Sequence, residues 1–205
     1  MNIAQYKNHF GKLQSLIALF ILCIVFSVLS DKFFTVANGL NVMRQISVNI
    51  CIAVGMTLII ITAGIDLSVG SVLALCGAVT AGLLKNGLAF PSLNLFIGFT
   101  ILGAIFAGII VGCLLGFFNG LVITKFKVPP FVATLAMLTI ARGLTMLYTN
   151  GFPISSFGTS FTFIGGGWLL GLPVPVWIAA VIVIAAIIVT KKNKIGTLHL
   201  CHWWQ

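Results

Sequence analysis

Charge is what this sequence most lacks. Of 205 residues only 6% are charged, and only two are acidic, Asp31 and Asp66. A soluble domain carries roughly a quarter charged residues, so this chain of 21.8 kDa could not coat a water-facing globule. The shortage of acids also excludes paired-carboxylate catalysis, because Asp31 and Asp66 fall in separate loops on opposite expected sides of a membrane. His9, His199 and His202 lie near the termini, far from any serine or cysteine that could complete a nucleophilic triad. No GxxxxGK[ST] phosphate loop occurs, which excludes ATP hydrolysis by that route. No Cys-x-x-Cys or zinc-like Cys/His spacing occurs either. Cys23, Cys51, Cys76 and Cys113 sit within apolar runs, as small packed hydrophobes do. No catalytic residue, metal or cofactor is expected, and the chain is not an enzyme on this reading.

What is present is apolar sequence. Hydrophobic residues make up 60% of the chain and the mean hydropathy is +1.21. The net charge of +9 does not point to nucleic acid. Such binding needs basic residues clustered on one face, and here they stand singly or in short groups between apolar runs. The solvent is the lipid bilayer and the fold class is all-α, a polytopic helical membrane protein of about six segments. The polar lead before the first run is long and further spans follow, so a cleaved signal is not expected.

A bilayer core of about 30 Å needs roughly 20 apolar residues in a helix. The runs are Leu16 to Leu29, Ile46 to Ala63, Val69 to Leu84, Leu95 to Thr124, a fifth that follows the loop ending in Val128-Pro129-Pro130 and reaches about Tyr148, and Val174 to Thr190. Ser30 to Gln45 reads as a polar, Asn-rich connection. The second and third runs are short and could form a re-entrant hairpin instead of two spans. The fourth, at 1.5 Å per residue, would measure roughly 45 Å and must tilt, kink or project. Pro129 and Pro130 suit the first turn of the fifth. With the N-terminus in the cytoplasm, the inside loops hold Lys7, Lys12, Lys125, Lys127, Lys191, Lys192 and Lys194. The outside loops hold Lys32, Arg44 and Lys85. That bias supports both termini inside.

Small residues indicate packing. Gly108, Gly112, Gly116 and Gly120 form a ridge along one helix face, and Gly70, Ala74, Ala78 and Gly82 form another. Lipid gives no hydrophobic drive between helices, so close approach through small residues helps hold bundles together. Asp66 follows Gly64 and opens a helix. It is either an N-cap accepting backbone N–H groups, which alone accounts for the residue type, or a polar site at a helix break of the kind transporters use. Arg142 lies within the fifth run, where a charge costs about 2.5–3.5 kcal/mol on insertion scales. Snorkelling and lining a polar path both remain open for it.

The stretch Ala53-Val54-Gly55-Met56-Thr57-Leu58 and the string Gly64-Ile65-Asp66-Leu67-Ser68-Val69-Gly70-Ser71 resemble the signature of ribose-type monosaccharide ABC permeases. The likeness runs from about Ser15 to Gly196. It includes Ala133-Thr134-Leu135, Arg142-Gly143, Tyr148-Thr149-Asn150-Gly151 and Pro173-Val174-Pro175-Val176-Trp177-Ile178. The resemblance implies a permease that moves a monosaccharide, ribose first among them, across the inner membrane. It implies a second permease copy, two cytoplasmic ATPase subunits and an extracytoplasmic sugar-binding protein as partners. Asp66, Ser68, Arg142 and Asn150 are the candidate substrate-pathway residues, although the family assigns no sugar contact to single residues. The competing reading is a passive channel or structural oligomeric membrane protein. It predicts flux without ATPase subunits and leaves the motif string unexplained.

Past Gly196 the likeness stops. Relatives continue with a stretch like Arg-Tyr-Ile-Tyr-Ala-Ile-Gly-Gly-Asn, where this chain has Leu198-His199-Leu200-Cys201-His202-Trp203-Trp204-Gln205. His-Trp-Trp-Gln is encoded CAY-TGG-TGG-CAR. Shifted by one base it reads AYT-GGT-GGC-AR, which permits Ile-Gly-Gly-Asn. The expectation is therefore a partial permease domain over 1–196 and an out-of-frame tail over 197–205. A form truncated in this way is not expected to be transport-competent, whether the shift lies in the gene or in its sequencing.

Overall fold

The structure is a computed structural model and describes residues 3–62, 64–90, 95–155 and 157–192. Seven helices occupy most of it: α1 (Ile3–Leu29), α2 (Val36–Ile61), α3 (Val69–Asn86), α4 (Ile101–Lys125), α5 (Pro130–Thr149), α6 (Thr159–Gly166) and α7 (Val174–Lys192). Two short hairpins interrupt them: β1 (Leu88–Phe90) with β2 (Leu95–Ile97), and β3 (Trp168–Leu169) with β4 (Leu172–Pro173). By length and composition α2, α3, α4, α5 and α7 can each cross a membrane, and the apolar stretch Leu16–Leu29 of α1 is a shorter sixth. The chain divides within α2 into two compact units, Met1–Ile46 and Ser47–Gln205.

Two segment boundaries differ from the hydropathy reading. The connection expected over Ser30 to Gln45 is helical from Val36 onward, so only a short turn joins α1 to α2. The Asn38 amide, donating to Phe33 O at 2.8 Å, and Thr35 Oγ1, donating to Lys32 O at 2.8 Å, satisfy carbonyls of that turn. Polar side chains lowered the local hydropathy without opposing the helix. The long fourth run does not tilt as one helix. Its first residues pair as β2 with β1, Leu88 opposite Ile97 and Phe90 opposite Leu95. The helix starts only after Thr100, whose Oγ1 accepts the Gly103 N–H at 3.2 Å as an N-cap. The 25 residues that remain span about 37 Å, close to a bilayer core plus its interfaces. Gly87 makes the turn between α3 and β1 with φ 61, and a Cβ there would lie 2.7 Å from Ile97 O. Only glycine fits both demands.

In the second unit α3 packs against both α4 and α5. The buried positions are mostly small: Ala81 and Gly82 on α3, Ala104 and Gly108 on α4, Ala133 and Ala141 on α5. Backbones therefore approach closely, as membrane bundles require. A Cβ on Gly108 would overlap Thr80 Oγ1 and come 3.2 Å from Cys76 O, and one on Gly82 would meet the Tyr148 ring. The ridge expected along α4 is tight only at one end. Gly112 would meet Cys76 Sγ at 3.2 Å, whereas Gly116 and Gly120 face nothing within 4 Å. The sixth run begins at Val174 after β4, where Trp177 Nε1 donates to Leu169 O at 3.2 Å and ties α7 to the hairpin. The expected tail over 197–205 lies outside the described residues.

Candidate functional site

The break between α2 and α3 is where polar side chains converge. Asp66 is not the N-cap of α3. That position is Ser68, and the Asp66 carboxylate instead braces the approach to the helix. Its Oδ1 accepts the Ser68 backbone N–H at 2.7 Å and the Ser68 hydroxyl at 2.6 Å. Ser68, 1% exposed, is thereby fixed under the first turn. Gly64 lets the chain turn against α2, and its N–H returns to Ile59 O at 3.2 Å.

Two bonds from distant helices hold this break in place. Asn119 on α4 donates from Nδ2 to Ser68 Oγ at 3.3 Å, completing a relay from Asn119 through Ser68 to Asp66. Thr134 on α5 lies 3.2 Å from Ile65 O and 2.8 Å from Pro130 O, and its hydroxyl proton reaches either carbonyl. Ser68, Asn119 and Thr134 are all buried. Burying polar groups among apolar helices is costly unless they are paired, and here each partner satisfies the other.

These residues border a cavity of about 490 Å³ at the end of the helices that carries Lys125 and Lys127. Its walls include Thr62, Asp66, Asn119, Gly120, Thr124 and Thr134. A second cavity of about 440 Å³ lies toward the other end of α3, between Thr80, Thr149, Phe157 and Phe161. Beside it Lys85 Nζ donates to Ser155 O at 3.0 Å.

Of the four residues singled out from the sequence, Asp66 and Ser68 come together and the other two do not. Arg142 is exposed on α5, 12 residues beyond Pro130 and so about 18 Å further along the axis. Asn150 ends α5 in the left-handed conformation with φ 52, a C-cap role that asparagine tolerates. Sequence reasoning missed Asn119 and Thr134. Asn119 carried a usable signal, as the only side-chain amide in the run Leu95 to Thr124. Thr134 stood within a matched motif, yet threonine is common enough in apolar helices to draw no attention.

Comparison with known proteins agrees with this architecture. Residues 38–198 match the family described as branched-chain amino acid transport system / permease component. The chain is 44% identical over 187 residues to the ribose import permease protein RbsC of Haemophilus influenzae, covering 89% of this chain and 54% of that protein. It is 46% identical over 177 residues to RbsC of Bacillus subtilis, covering 83% and 52%. The galactofuranose transporter permease protein YtfT of Escherichia coli is 33% identical over 189 residues, covering 88% and 52%. The chain thus spans about half the length of the curated relatives it matches. No solved structure matches it. A family match over most of the chain, ribose-type relatives above 40% identity and five membrane-length helices lead to one assignment: the chain belongs to this ABC permease family, on its ribose-type side, as a multi-pass protein of the inner membrane.

Proposed function

We propose that the chain is the membrane-spanning part of an ABC importer that carries a monosaccharide, ribose first among candidates, into the cytoplasm. The observation that carries this reading is the identity of 44–46% to two ribose import permeases over most of the chain. The matched stretch is long enough to span the Asp66 break and the helices that carry Asn119 and Thr134. The energy would come from cytoplasmic ATPase subunits, since the sequence holds no phosphate loop of its own. A second permease copy and an extracytoplasmic sugar-binding protein would complete the assembly. Asp66 and Ser68 belong to the substrate path in this reading, with Arg142 and Asn150 further toward the outer side. Residues 1–196 form the permease part, and 197–205 are read out of frame. Resequencing the DNA across codon 196 tests that last point.

The reading is tested by uptake of radiolabelled ribose in cells lacking their own permease. These cells carry the gene in the family's reading frame together with intact partner subunits. Saturable uptake that requires ATP and favours ribose over leucine is expected. Flux that persists without the ATPase subunits would favour a passive channel, and a leucine preference would remove the sugar assignment.

Orientation follows from the lysines, with both ends of the bundle's chain on the cytoplasmic side. Single cysteines at Asn86 and Gly158 should react with an impermeant thiol reagent added outside. One at Lys127 should react only from inside. The opposite pattern would overturn this topology.

A further inference from the structure

The compact unit Met1–Ile46 carries an apolar groove of its own. Leu19, Phe20, Cys23, Ile24 and Val28 line it from α1, and Phe34 closes its end. Its volume is about 350 Å³. The α1 positions recur at helical spacing, so they form one stripe along the axis. From Leu19 to Val28 that stripe runs about 13.5 Å, close to half of a bilayer core of about 30 Å. A second helix seated there would need a seam across the whole core. One acyl chain from a single leaflet needs only half.

The polar groups gather at one end of the groove. Ser27 brings the only hydroxyl to its lining, and that hydroxyl has no hydrogen bond among the described residues. About one turn further on, the chain leaves α1 through the turn that ends at Phe34. Backbone carbonyls there are already engaged. Ser30 O accepts the Phe33 N–H at 3.0 Å, Lys32 O the Thr35 hydroxyl at 2.8 Å, and Phe33 O the Asn38 amide at 2.8 Å. The Phe33 ring stacks on Phe26 at 6.0 Å and meets Phe34 edge-on at 5.1 Å, which fixes the turn against the helix. What the turn leaves uncommitted is a pair of opposite charges. Asp31 and Lys32 are both exposed, and neither has an ion pair among the described residues. They stand between Val28 and Phe34, both of which line the groove.

We infer that this groove and its turn bind phosphatidylethanolamine, with one acyl chain along α1 and the zwitterionic headgroup on Asp31 and Lys32. Along the axis the protein offers an apolar stripe, a hydroxyl, and then an acid beside a base. A phospholipid offers chain, ester carbonyl, phosphate and alcohol in the same order. Lys32 matches the phosphate and Ser27 the ester carbonyl. Asp31 sorts lipids by their alcohol. An ethanolamine ammonium brings it three N–H donors, and charge-assisted bonds of that kind are the strong ones. The quaternary ammonium of choline brings none. Phosphatidylglycerol brings neutral hydroxyls and a net negative charge beside the carboxylate. With the N-terminus inside, the turn lies at the outer leaflet. The site asks nothing of the sugar assignment.

The test is native mass spectrometry of the 205-residue chain in detergent micelles. It is titrated with dioleoyl phosphatidylethanolamine, phosphatidylcholine or phosphatidylglycerol. The tightest phosphatidylethanolamine event should exceed the other two lipids by about three- to fivefold, the upper range for an exposed ion pair. Asp31→Asn should erase that preference, and Lys32→Gln should weaken all three lipids by a similar factor. Cys23→Trp places an indole in the groove and should remove the tight event, with helix content by circular dichroism at the parent level. The two turn variants alter exposed side chains only, so they read the site even where the groove variant fails to fold. Phosphatidylethanolamine with a diazirine on its acyl chain should cross-link mainly within residues 19–34. Glycerophosphoethanolamine, the headgroup without chains, should not displace the lipid at millimolar concentration. Equal affinity for the three lipids in the parent would overturn the site. So would a preference that survives Asp31→Asn, binding unchanged in Lys32→Gln, or cross-links spread evenly over the other helices. Displacement by glycerophosphoethanolamine would remove the groove from it. A dimer of the chain that Cys23→Trp dissolves, with lipid preference intact, would mean that the groove seats a second copy instead.

Discussion

Gly108→Leu should remove most of the folded protein from the membrane, whereas Gly116→Leu and Gly120→Leu should leave it near the parent level. All four glycines of the α4 ridge look alike in sequence, but their surroundings differ. At Gly108 the nearest obstacle is Thr80, a short side chain whose Oγ1 is bonded to Cys76 O at 2.9 Å. Behind it stands the Cys76 carbonyl itself, 3.2 Å from where a Cβ would be. Backbone cannot swing aside, so α3 and α4 must separate. Overpacking on this scale costs about 3 kcal/mol, a factor on the order of a hundred in the folding equilibrium. At Gly112 only the Cys76 thiol is close, and a side chain can change rotamer, so Gly112→Leu should fall between. Ile110→Leu, on the exposed side of the helix, is the neutral control. The measurement is the monodisperse fraction after mild detergent extraction and size-exclusion chromatography. Equal losses at Gly108 and Gly120 would mean that the whole ridge is covered and that packing on α3 is not what distinguishes them.

That contrast also shows what the sequence could convey. The four-residue period of Gly108 to Gly120 revealed a close-packing face, because helical geometry is local and repeats along the chain. It could not reveal where the partner helix diverges, since that depends on the path of α3, more than thirty residues earlier. The same division holds at the segment ends. Hydropathy found the apolar runs, yet it read Leu95 to Thr124 as continuous because β2 and α4 are equally apolar. The break between them is made by the Thr100 cap and the pairing of β2 with β1. Val36 to Gln45 erred the other way, where Asn and Arg side chains on a helix resembled a loop.

At the site, Asp66 was legible as the one carboxylate at a helix break, and Ser68 followed from the motif around it. Its detailed role was not. Local sequence made Asp66 the natural N-cap, but φ −82 and ψ −13 at Ser68 place the helix start two residues later. The carboxylate then braces the turn before the helix. Asn119 and Thr134 are 51 and 69 residues from their partners. No local pattern encodes such pairings. A lone amide in an apolar run states only that some partner exists, because an unsatisfied amide in lipid costs several kcal/mol, on the order of 4.

Loss of both anchors should free the break without unfolding the bundle. In Asn119→Leu, Ser68 still donates to Asp66, so one hydrogen bond disappears and no buried donor is orphaned at Ser68. Thr134→Val likewise leaves Pro130 O to the ordinary helical pairing and removes the reach to Ile65 O. Interhelical hydrogen bonds in membranes are worth about 0.6 kcal/mol on average and about 1.7 at most, so each single change should raise local opening of the break about three- to fifteenfold. The two bonds hold the same five residues, one from α4 and one from α5. Either alone can keep the break seated, so the double variant should open more than the product of the two single effects. Hydrogen exchange followed by mass spectrometry on a peptide spanning 64–72 reads this directly. The protected amide to watch is Ser68, whose N–H is bonded to Asp66 Oδ1 at 2.7 Å. Exchange around Ala104 and Ala141, buried in the neighbouring helices, should stay at the parent rate. A rise that spreads evenly through α4 and α5 would mean that these residues stabilise the bundle as a whole. Unchanged exchange across 64–72 in the double variant would mean that Asp66 and Ser68 hold the break unaided.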